Sequence, residues 1–496
     1  MEGGATHLGG FSLRSLLGDA EIVGAADVAV SHCTIDPRGC RTGDLFVQLP
    51  DRHTPADVED AVRCGAAAVV ASQPLVGCRV PVCYVPDAAE AYGRLCQGLA
   101  GDPARRLKVV GVAGSYGKTT TGYLIASILS AAGRTPGVLG SLGYCDGADT
   151  AEARWTTPPA PILAGWLRRM ADNGCSHAVT ELSARGVLES RAAGLRCDVL
   201  CLTNLRGADA ALRSCAADRR RYASRLLEHL SPEGVLIVNA DDPAACEAAE
   251  RHSGPALTVG LTAAAELTAT LVERHASEQT FCLSFGDEVL PVRTTLCGDH
   301  NVLNCLLAAA VGAAYRIAPE VIVRGLESVR ELPGRLERVE CGRPFQVFLD
   351  EARSPEALST CLQTLRATAA GRVLCVLGIS AEHDRASRAR FGRIADQWTD
   401  ETIVTQAPRA PAGFDALNDV LAGFRVPTRR RLIADRADAI RRVLTLAQPT
   451  DCILIAGQGL ETYSLADREQ DYWDDRQLVR QTLYGLNDSP APRRAA

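Results

Sequence analysis

Lysine is almost missing from this 496-residue chain: Lys108 and Lys118 are the only two among 53 basic residues, and the rest are arginines. Chemistry that needs a lysine amine anywhere else is therefore closed to it. Long apolar runs are lacking too. No stretch of the sequence reaches the ~18 uninterrupted apolar residues of a membrane-spanning helix. The opening Met-Glu-Gly-Gly-Ala-Thr-His lacks the basic-then-apolar order of a secretory signal, so a cytoplasmic location is expected. The 19 cysteines are scattered, odd in number and contain no Cys-x-x-Cys pair. That argues for reduced thiols packed as small core residues, against disulfides or a zinc site. A net charge of -6 gives no footprint for nucleic acid. No internal repeat is visible, and the Pro/Arg/Ala tail at 488–496 reads as disordered.

What is present suits a folded protein of several domains, with 47% hydrophobic and 23% charged residues. Residues 1–106 hold short apolar runs, AAAVVA and VPVCYV, separated by turns, which predict a small α/β domain. From 107 to 333 the runs VVGVAG, HAVTEL, DVLCLTNL and GVLIVNADD alternate with helical stretches. This pattern predicts a mostly parallel sheet covered on both faces. Pro333 and Gly334 punctuate a linker, ELPGRLERVE. In 334–487 the runs FQVFLD, RVLCVLGIS, ETIVTQ and DCILIAG predict a second, Rossmann-like doubly wound domain.

The strongest local signal is KVVGVAGSYGKTTTGYLIASILSAAG, in which a strand enters Gly111, Gly114 and Gly117 and Lys-Thr-Thr opens a helix. Glycines let backbone N–H groups turn toward phosphate oxygens, and the helix N-terminus adds a favourable dipole. Lys118 can reach the β and γ phosphates and the Thr119 hydroxyl can bind Mg²⁺. The spacing departs from the strict phosphate-loop pattern, because Val112 stands at the first glycine position.

GVAGSYGKTTT resembles the phosphate loop of the Mur ligases, and other pieces agree with that family in order. They are RTGDLFVQLP with GAAAVVAS, WTTPPAP, TELS, LTNL, VNADD, GDHNVLN, GRLERVE, LDEARSPEAL, AEHDR, APR and GQGLETY. Within the family the chain is most similar to ligases that add the third residue to UDP-N-acetylmuramoyl-dipeptide. The resemblance implies a UDP-sugar-binding-like domain at 1–106, an ATP-binding domain at 107–333 and a C-terminal ligase domain at 334–487. It implies ATP and Mg²⁺ as cofactors, and a UDP-N-acetylmuramoyl-peptide and an amino acid as substrates. It also points to association with other cell-wall enzymes.

By matching position, Gly114, Ser115, Tyr116, Gly117, Lys118, Thr119 and Thr120 would cradle the triphosphate. Thr119 and Glu181 would hold Mg²⁺, and Asn204 would act near the γ-phosphate beside Lys118 and Glu181. Asn301 and Asn304 would lie against adenine, and Arg335 and Asp350 would close over the nucleotide. Thr156, Thr157, Ser183 and Arg191 would face the UDP-sugar-peptide, and Arg409 would meet the amino-acid carboxylate. Glu181 also stands out on its own, since a carboxylate ending an apolar strand is costly without a cation.

The departures from the family pattern cluster at the chemistry. Ser183-Ala184-Arg185 replaces Ser-Ser-His, and LRGADAAL lacks the family's Asp-His, leaving Asp209. The family's carbamoylated lysine falls in RRRYASRLLEHL, at Tyr222 or Ala223. Asp-Tyr-Ala-His becomes Asp350-Glu351-Ala352-Arg353, and Asp-Asn-Pro-Arg becomes Gln406-Ala407-Pro408-Arg409. Gly-Lys-Gly-His-Glu becomes Gly457-Gln458-Gly459-Leu460-Glu461. Two readings follow: an amide ligase with a rearranged site, or a catalytically impaired paralogue that binds ATP or a UDP-sugar as a regulator or partner.

Overall fold

The structure is a computed structural model that describes residues 11–18, 20–205, 216–275, 277–340, 342–408, 410–457, 463–464 and 472–487. The tail at 488–496, Asp209, Arg409 and the segment 458–462 lie outside the described residues. The described residues up to Leu257, apart from 239–241, form one compact unit; those three and the residues from Thr258 onward form a second. Both units are α/β, as the alternation of apolar runs implies. No helix among the described residues is long and apolar enough to cross a membrane.

The first unit opens with a five-stranded sheet of β1 (Glu21–Val23), β2 (Cys33–Thr34), β3 (Leu45–Val47), β4 (Ala68–Ala71) and β5 (Val82–Tyr84), in the order β1-β5-β4-β3-β2. Only β1 runs antiparallel to its neighbour. Helix α1 (Pro55–Cys64) starts where Thr54 and Asp57 form a capping box, with Pro55 in the first turn. It stops at left-handed Gly65. Helix α2 (Ala88–Leu99) is capped by Asp87, which accepts from the Ala89 and Glu90 amides.

The second sheet of this unit contains β6 (Lys108–Ala113), β7 (Pro136–Gly140), β8 (Gly143–Cys145), β9 (Thr150–Ala151), β10 (His177–Leu182), β11 (Cys197–Leu202) and β12 (Leu230–Asn239). Their order is β9-β8-β7-β10-β6-β11-β12. Strands β7, β10, β6, β11 and β12 are parallel. Their crossovers include α3 (Lys118–Ala131), α4 (Ala160–Asp172) and α5 (Ala216–Glu228). Helices cover both faces, so β6 and β10 are buried along nearly their whole length instead of alternating. Leu182, Leu200 and Leu226 are fully buried in the resulting core. Truncating any of them to alanine is worth ~2–5 kcal/mol at such sites.

The second unit begins differently from the sequence expectation. After one further parallel pairing, of Val259 and Gly260 with Leu267 and Thr268, it has an antiparallel set, β13 (Leu267–Arg274), β14 (Gln279–Phe285) and β15 (Glu288–Thr294). The physical reason is visible in β14, whose side chains alternate buried and half-buried as in a sheet wetted on one face. Gly286, at φ 59°, makes the tight turn into β15. Helices α6 (Asp299–Ala314) and α7 (Pro319–Ser328) follow.

The last sheet comprises β16 (Glu337–Val339), β17 (Gln346–Asp350), β18 (Val373–Ile379), β19 (Glu401–Gln406), β20 (Arg430–Leu432) and β21 (Cys452–Ala456), in the order β16-β17-β21-β18-β19-β20. All but β16 run parallel. One face is packed by α8 (Pro355–Thr368), α9 (Arg385–Trp398) and α10 (Phe414–Leu421), through Leu358, Phe391 and Leu417. The other is packed by α11 (Arg436–Leu446) and α12 (Asp475–Asn487), through Ile440 and Val479. This is the doubly wound arrangement the third block predicts.

Candidate nucleotide and metal site

Strand β6 delivers the chain into the glycine loop. Gly114 adopts φ +140°, and a Cβ there would lie 2.1 Å from Thr203 Oγ1 and 2.8 Å from the Asn204 carbonyl oxygen. Only glycine fits so close an approach. Gly117, at φ +83°, is the N-cap of α3, and no side chain caps that helix start. An uncapped helix N-terminus beside a glycine turn is an anion site.

The loop is held from the neighbouring strand β11. Asn204 Oδ1 accepts from the backbone N–H groups of Ser115 (3.1 Å) and Tyr116 (3.2 Å), while its Nδ2 donates to the Tyr116 carbonyl (2.8 Å). Thr203 Oγ1 donates to the Tyr116 carbonyl at 2.6 Å. Asn204 thus shapes the loop itself. Thr203 was not singled out in the sequence, although it stands in the same Leu-Thr-Asn-Leu run. Replacing Asn204 with alanine removes the two bonds that its Oδ1 accepts and the one that its Nδ2 donates, each worth about 0.5–1.5 kcal/mol. The expected outcome is a lower Tm and an ATP Kd weakened by roughly tenfold or more, read by calorimetry.

Lys118 is half-buried, and its Nζ donates to the Gly114 carbonyl at 2.7 Å and the Ser115 carbonyl at 3.3 Å. The ammonium therefore lies across the loop it must serve. Beside it, Thr119 Oγ1 is 2.8 Å from Ser141 Oγ, and the Ser141 N–H donates to Glu181 Oε1 at 2.9 Å. Glu181 is buried at 4% exposure on β10. A Cβ on Gly140 would come within 2.2 Å of its Oε1, so the carboxylate fits only because β7 ends in glycine. Ser141 is a further member of this site that sequence reasoning missed. Its signal is faint, a lone serine after an apolar run.

Thr119 and Glu181 supply hard oxygen ligands beside a phosphate loop. That suits Mg²⁺, which is commonly held by one or two carboxylates together with substrate phosphates. Among the described residues no group of three or more His, Cys, Asp or Glu could hold a metal by itself. A carbamoylated lysine does not fit. Tyr222 and Ala223 are both buried in α5, and the Tyr222 hydroxyl donates to the Leu182 carbonyl at 3.2 Å.

Of the residues expected to face the sugar-peptide, Thr157 bonds to the Glu181 backbone and ties Ser183 and Arg191 to it. Thr157 Oγ1 donates to the Glu181 carbonyl (2.8 Å), accepts from the Ser183 N–H (2.9 Å) and lies 3.0 Å from Ser183 Oγ. Arg191 Nη1 donates to the Thr157 carbonyl at 3.0 Å, and its Nε pairs with Glu189 at 2.9 Å. Thr156 precedes this set and is half-buried. Arg185 pairs with Glu189, and Arg353 with Glu351.

In the second unit, buried Asn301 donates to the Cys297 carbonyl at 2.9 Å and receives a bond from Asn304 Nδ2 at 3.1 Å. Arg335 pairs with Glu351. The two Asp350 carboxylate oxygens accept from the Leu336 N–H (2.7 Å) and the Ala352 N–H (2.8 Å). Burial raises the pKa of Asp350 above the usual carboxylate value, opposed by Arg335 and those two amides. These contacts tie the linker turn at 334–336 to the end of β17.

Comparison with known proteins agrees with this arrangement. Residues 112–312 match the Mur ligase middle domain, and 334–459 match the Mur ligase glutamate ligase domain. A UDP-N-acetylmuramoyl-L-alanyl-D-glutamate–2,6-diaminopimelate ligase of Chlorobium phaeobacteroides is 32% identical, over 95% of this chain and 96% of that protein. A UDP-N-acetylmuramyl-tripeptide synthetase of Roseiflexus sp. is 33% identical, over 92% and 95% respectively. In fold, the chain is similar to a solved UDP-N-acetylmuramoyl-L-alanyl-D-glutamate–2,6-diaminopimelate ligase, with TM-score 0.68 at 24% identity, covering 97% of this chain and 100% of that one. It is similar also to a Thermotoga maritima MurF ligase in complex with ADP, with TM-score 0.63 at 18% identity, covering 92% and 98%. With both domain models matched and full-length relatives above 30% identity, the chain belongs to the Mur ligase family.

Proposed function

We propose that this chain is a cytoplasmic, ATP-dependent amide ligase that joins an amino acid to UDP-N-acetylmuramoyl-L-Ala-D-Glu through an acyl phosphate, in peptidoglycan precursor synthesis. The observation that carries this reading is the convergence of two groups of residues. Lys118, Thr119 and Glu181 stand with Thr157 and Ser183 at the C-terminal ends of parallel strands. The full-length similarity to tripeptide-forming ligases supports the substrate class.

The reaction needs positioning and charge neutralisation more than covalent help. A substrate carboxylate oxygen attacks the γ-phosphorus and ADP leaves; the amino acid's amine then attacks the acyl carbon, loses a proton and expels phosphate. Lys118 neutralises the phosphates from the loop side. Thr119 and Glu181 would hold Mg²⁺, which when bound screens the charge developing between the β and γ phosphates. Thr157, Ser183 and Arg191 would face the sugar-peptide, and Arg409 would meet the amino-acid carboxylate. Asn301, Asn304, Arg335 and Asp350 serve the adenosine side. With no carbamoylated lysine on α5, these groups carry the electrostatics in this chain. We place the domain boundaries at 106 and 333.

The test mixes purified protein, ATP, Mg²⁺ and UDP-N-acetylmuramoyl-dipeptide with a panel of amino acids. Phosphate release that requires both substrates, with the tripeptide product seen by mass spectrometry, is expected. ATP binding without release for any amino acid would refute the ligase reading and leave the binding-only paralogue.

A further inference from the structure

The turn after the short helix Ala184–Leu188 is held in a conformation that its sequence does not favour. Ser190 adopts φ +56°, in the left-handed region where glycine is the usual residue. Its amide donates to the Val187 carbonyl at 3.0 Å, and the Arg191 amide donates to the Gly186 carbonyl at 2.8 Å, so the turn closes the helix. A strained residue persists only where its surroundings over-determine it. Two elements do so here. Helix α2 approaches through Gly93, where a Cβ would lie 2.8 Å from the Ser190 carbonyl oxygen and 2.7 Å from the Ala193 Cβ. Helix α5 approaches through Arg225. Its Nη1 donates to Ser190 Oγ at 3.0 Å and to the Leu188 carbonyl at 3.4 Å, and its Nη2 donates to Asp87 Oδ2 at 3.2 Å.

Asp87 is the N-cap of α2, so one guanidinium joins three segments: α5, the Ser190 turn and the helix packed on the first sheet. With Arg225 22% and Asp87 37% exposed, the pair is worth little as a salt bridge. Its consequence lies in what the turn carries. Arg191 follows Ser190 directly, and its Nη1 holds the Thr157 carbonyl. Thr157 Oγ1 in turn bonds both the Glu181 carbonyl and the Ser183 amide. A displacement of Ser190 is therefore passed to Arg191, Thr157 and Ser183 through bonded neighbours.

We propose that Arg225 is a positioning residue for the UDP-sugar-peptide. By tying Asp87 to the Ser190 turn it sets where Arg191 and Thr157 stand, and it makes their placement depend on how α2 is seated. The inference rests on the reading that Arg191 and Thr157 face that substrate. It adds a residue that acts through its neighbours and not by contact with the ligand.

The test is calorimetric titration of the full chain with UDP-N-acetylmuramoyl-L-Ala-D-Glu and, separately, with ATP, with Tm recorded for each variant. Arg225→Ala is expected to weaken the sugar-peptide Kd by about tenfold or more and to leave the ATP Kd unchanged. Arg225→Lys keeps a donor of the same charge and should recover part of that loss. Ser190→Gly separates positioning from stability. Glycine adopts the left-handed backbone without strain, so Tm should hold or rise. Loss of the hydroxyl that Arg225 holds should still weaken sugar-peptide binding. A folded Arg225→Ala protein with a wild-type sugar-peptide Kd would overturn the proposal, and so would equal losses for sugar-peptide and ATP. Should Arg225→Ala fail to fold, a Ser190→Gly protein with a wild-type sugar-peptide Kd overturns it instead. A wild-type chain that does not bind the sugar-peptide refutes the substrate reading, before any variant is compared.

Discussion

Replacing Lys118 with alanine is expected to lower kcat/KM for ATP by ~10²–10³, the usual cost of one preorganised charge-stabilising group. The fold should survive, because the side chain is half-buried and its two bonds are to loop carbonyls at the site itself. Arginine should not rescue the variant. Its planar fork is larger and differently hydrated than a compact ammonium, and it would meet the same two carbonyls in a loop shaped by Gly114 and Gly117. The scarcity of lysine makes occupancy directly readable. Lys108 is 62% exposed and pairs with Asp198 on the strand's entry side, far along β6 from the loop. An amine-directed reagent followed by peptide mass spectrometry should label both lysines in the free protein. ATP should protect Lys118 and leave Lys108 reactive. Equal labelling of Lys118 with and without saturating ATP would remove the basis for the nucleotide site.

Glu181→Gln is the second large effect, with an expected fall of ~10²–10³ in kcat and a shift to higher Mg²⁺ for half-maximal rate. The amide keeps the shape of the side chain and can still accept from the Ser141 N–H, so the loss isolates charge from packing. Stability should hold or rise, since a buried carboxylate is desolvated when no cation is present. Gly140→Ala reaches the same group by geometry: its Cβ would sit 2.2 Å from Oε1, and the carboxylate must move. A Glu181→Gln variant with wild-type rate and wild-type Mg²⁺ dependence would exclude this carboxylate as a metal ligand. A Glu181→Gln chain that is inactive and also unfolded by thermal melt would point to a structural role instead.

Much of the fold could be read from the linear pattern, and the reasons are local. Strands β6, β10, β17, β18 and β21 are buried along nearly their whole length because both faces are covered, and each shows in the sequence as consecutive apolar residues. The stretch that became β13, β14 and β15 was less legible. Its half-wetted alternation is weak, and its hairpin turn is marked only by Gly286 and Asp287. At the site, Lys118 and Thr119 were evident because glycine spacing and helix start occur within one segment. Ser141 and Thr203 were not, because each acts through a partner brought from another strand.

Composition and motif order by themselves determined that this is an α/β chain of the Mur ligase kind, with a glycine loop and Lys-Thr-Thr helix start at 114–120 and with no lysine where the family's carbamate falls. These are properties of residue identity and short-range spacing. Tertiary structure alone decided the rest: that Asn204 braces the loop, that Gly140 makes room for the Glu181 carboxylate, and that Arg225 bridges Asp87 and the Ser190 turn. Each depends on a contact between residues tens of positions apart, whose distance is set by strand order and packing and by nothing the linear spacing encodes.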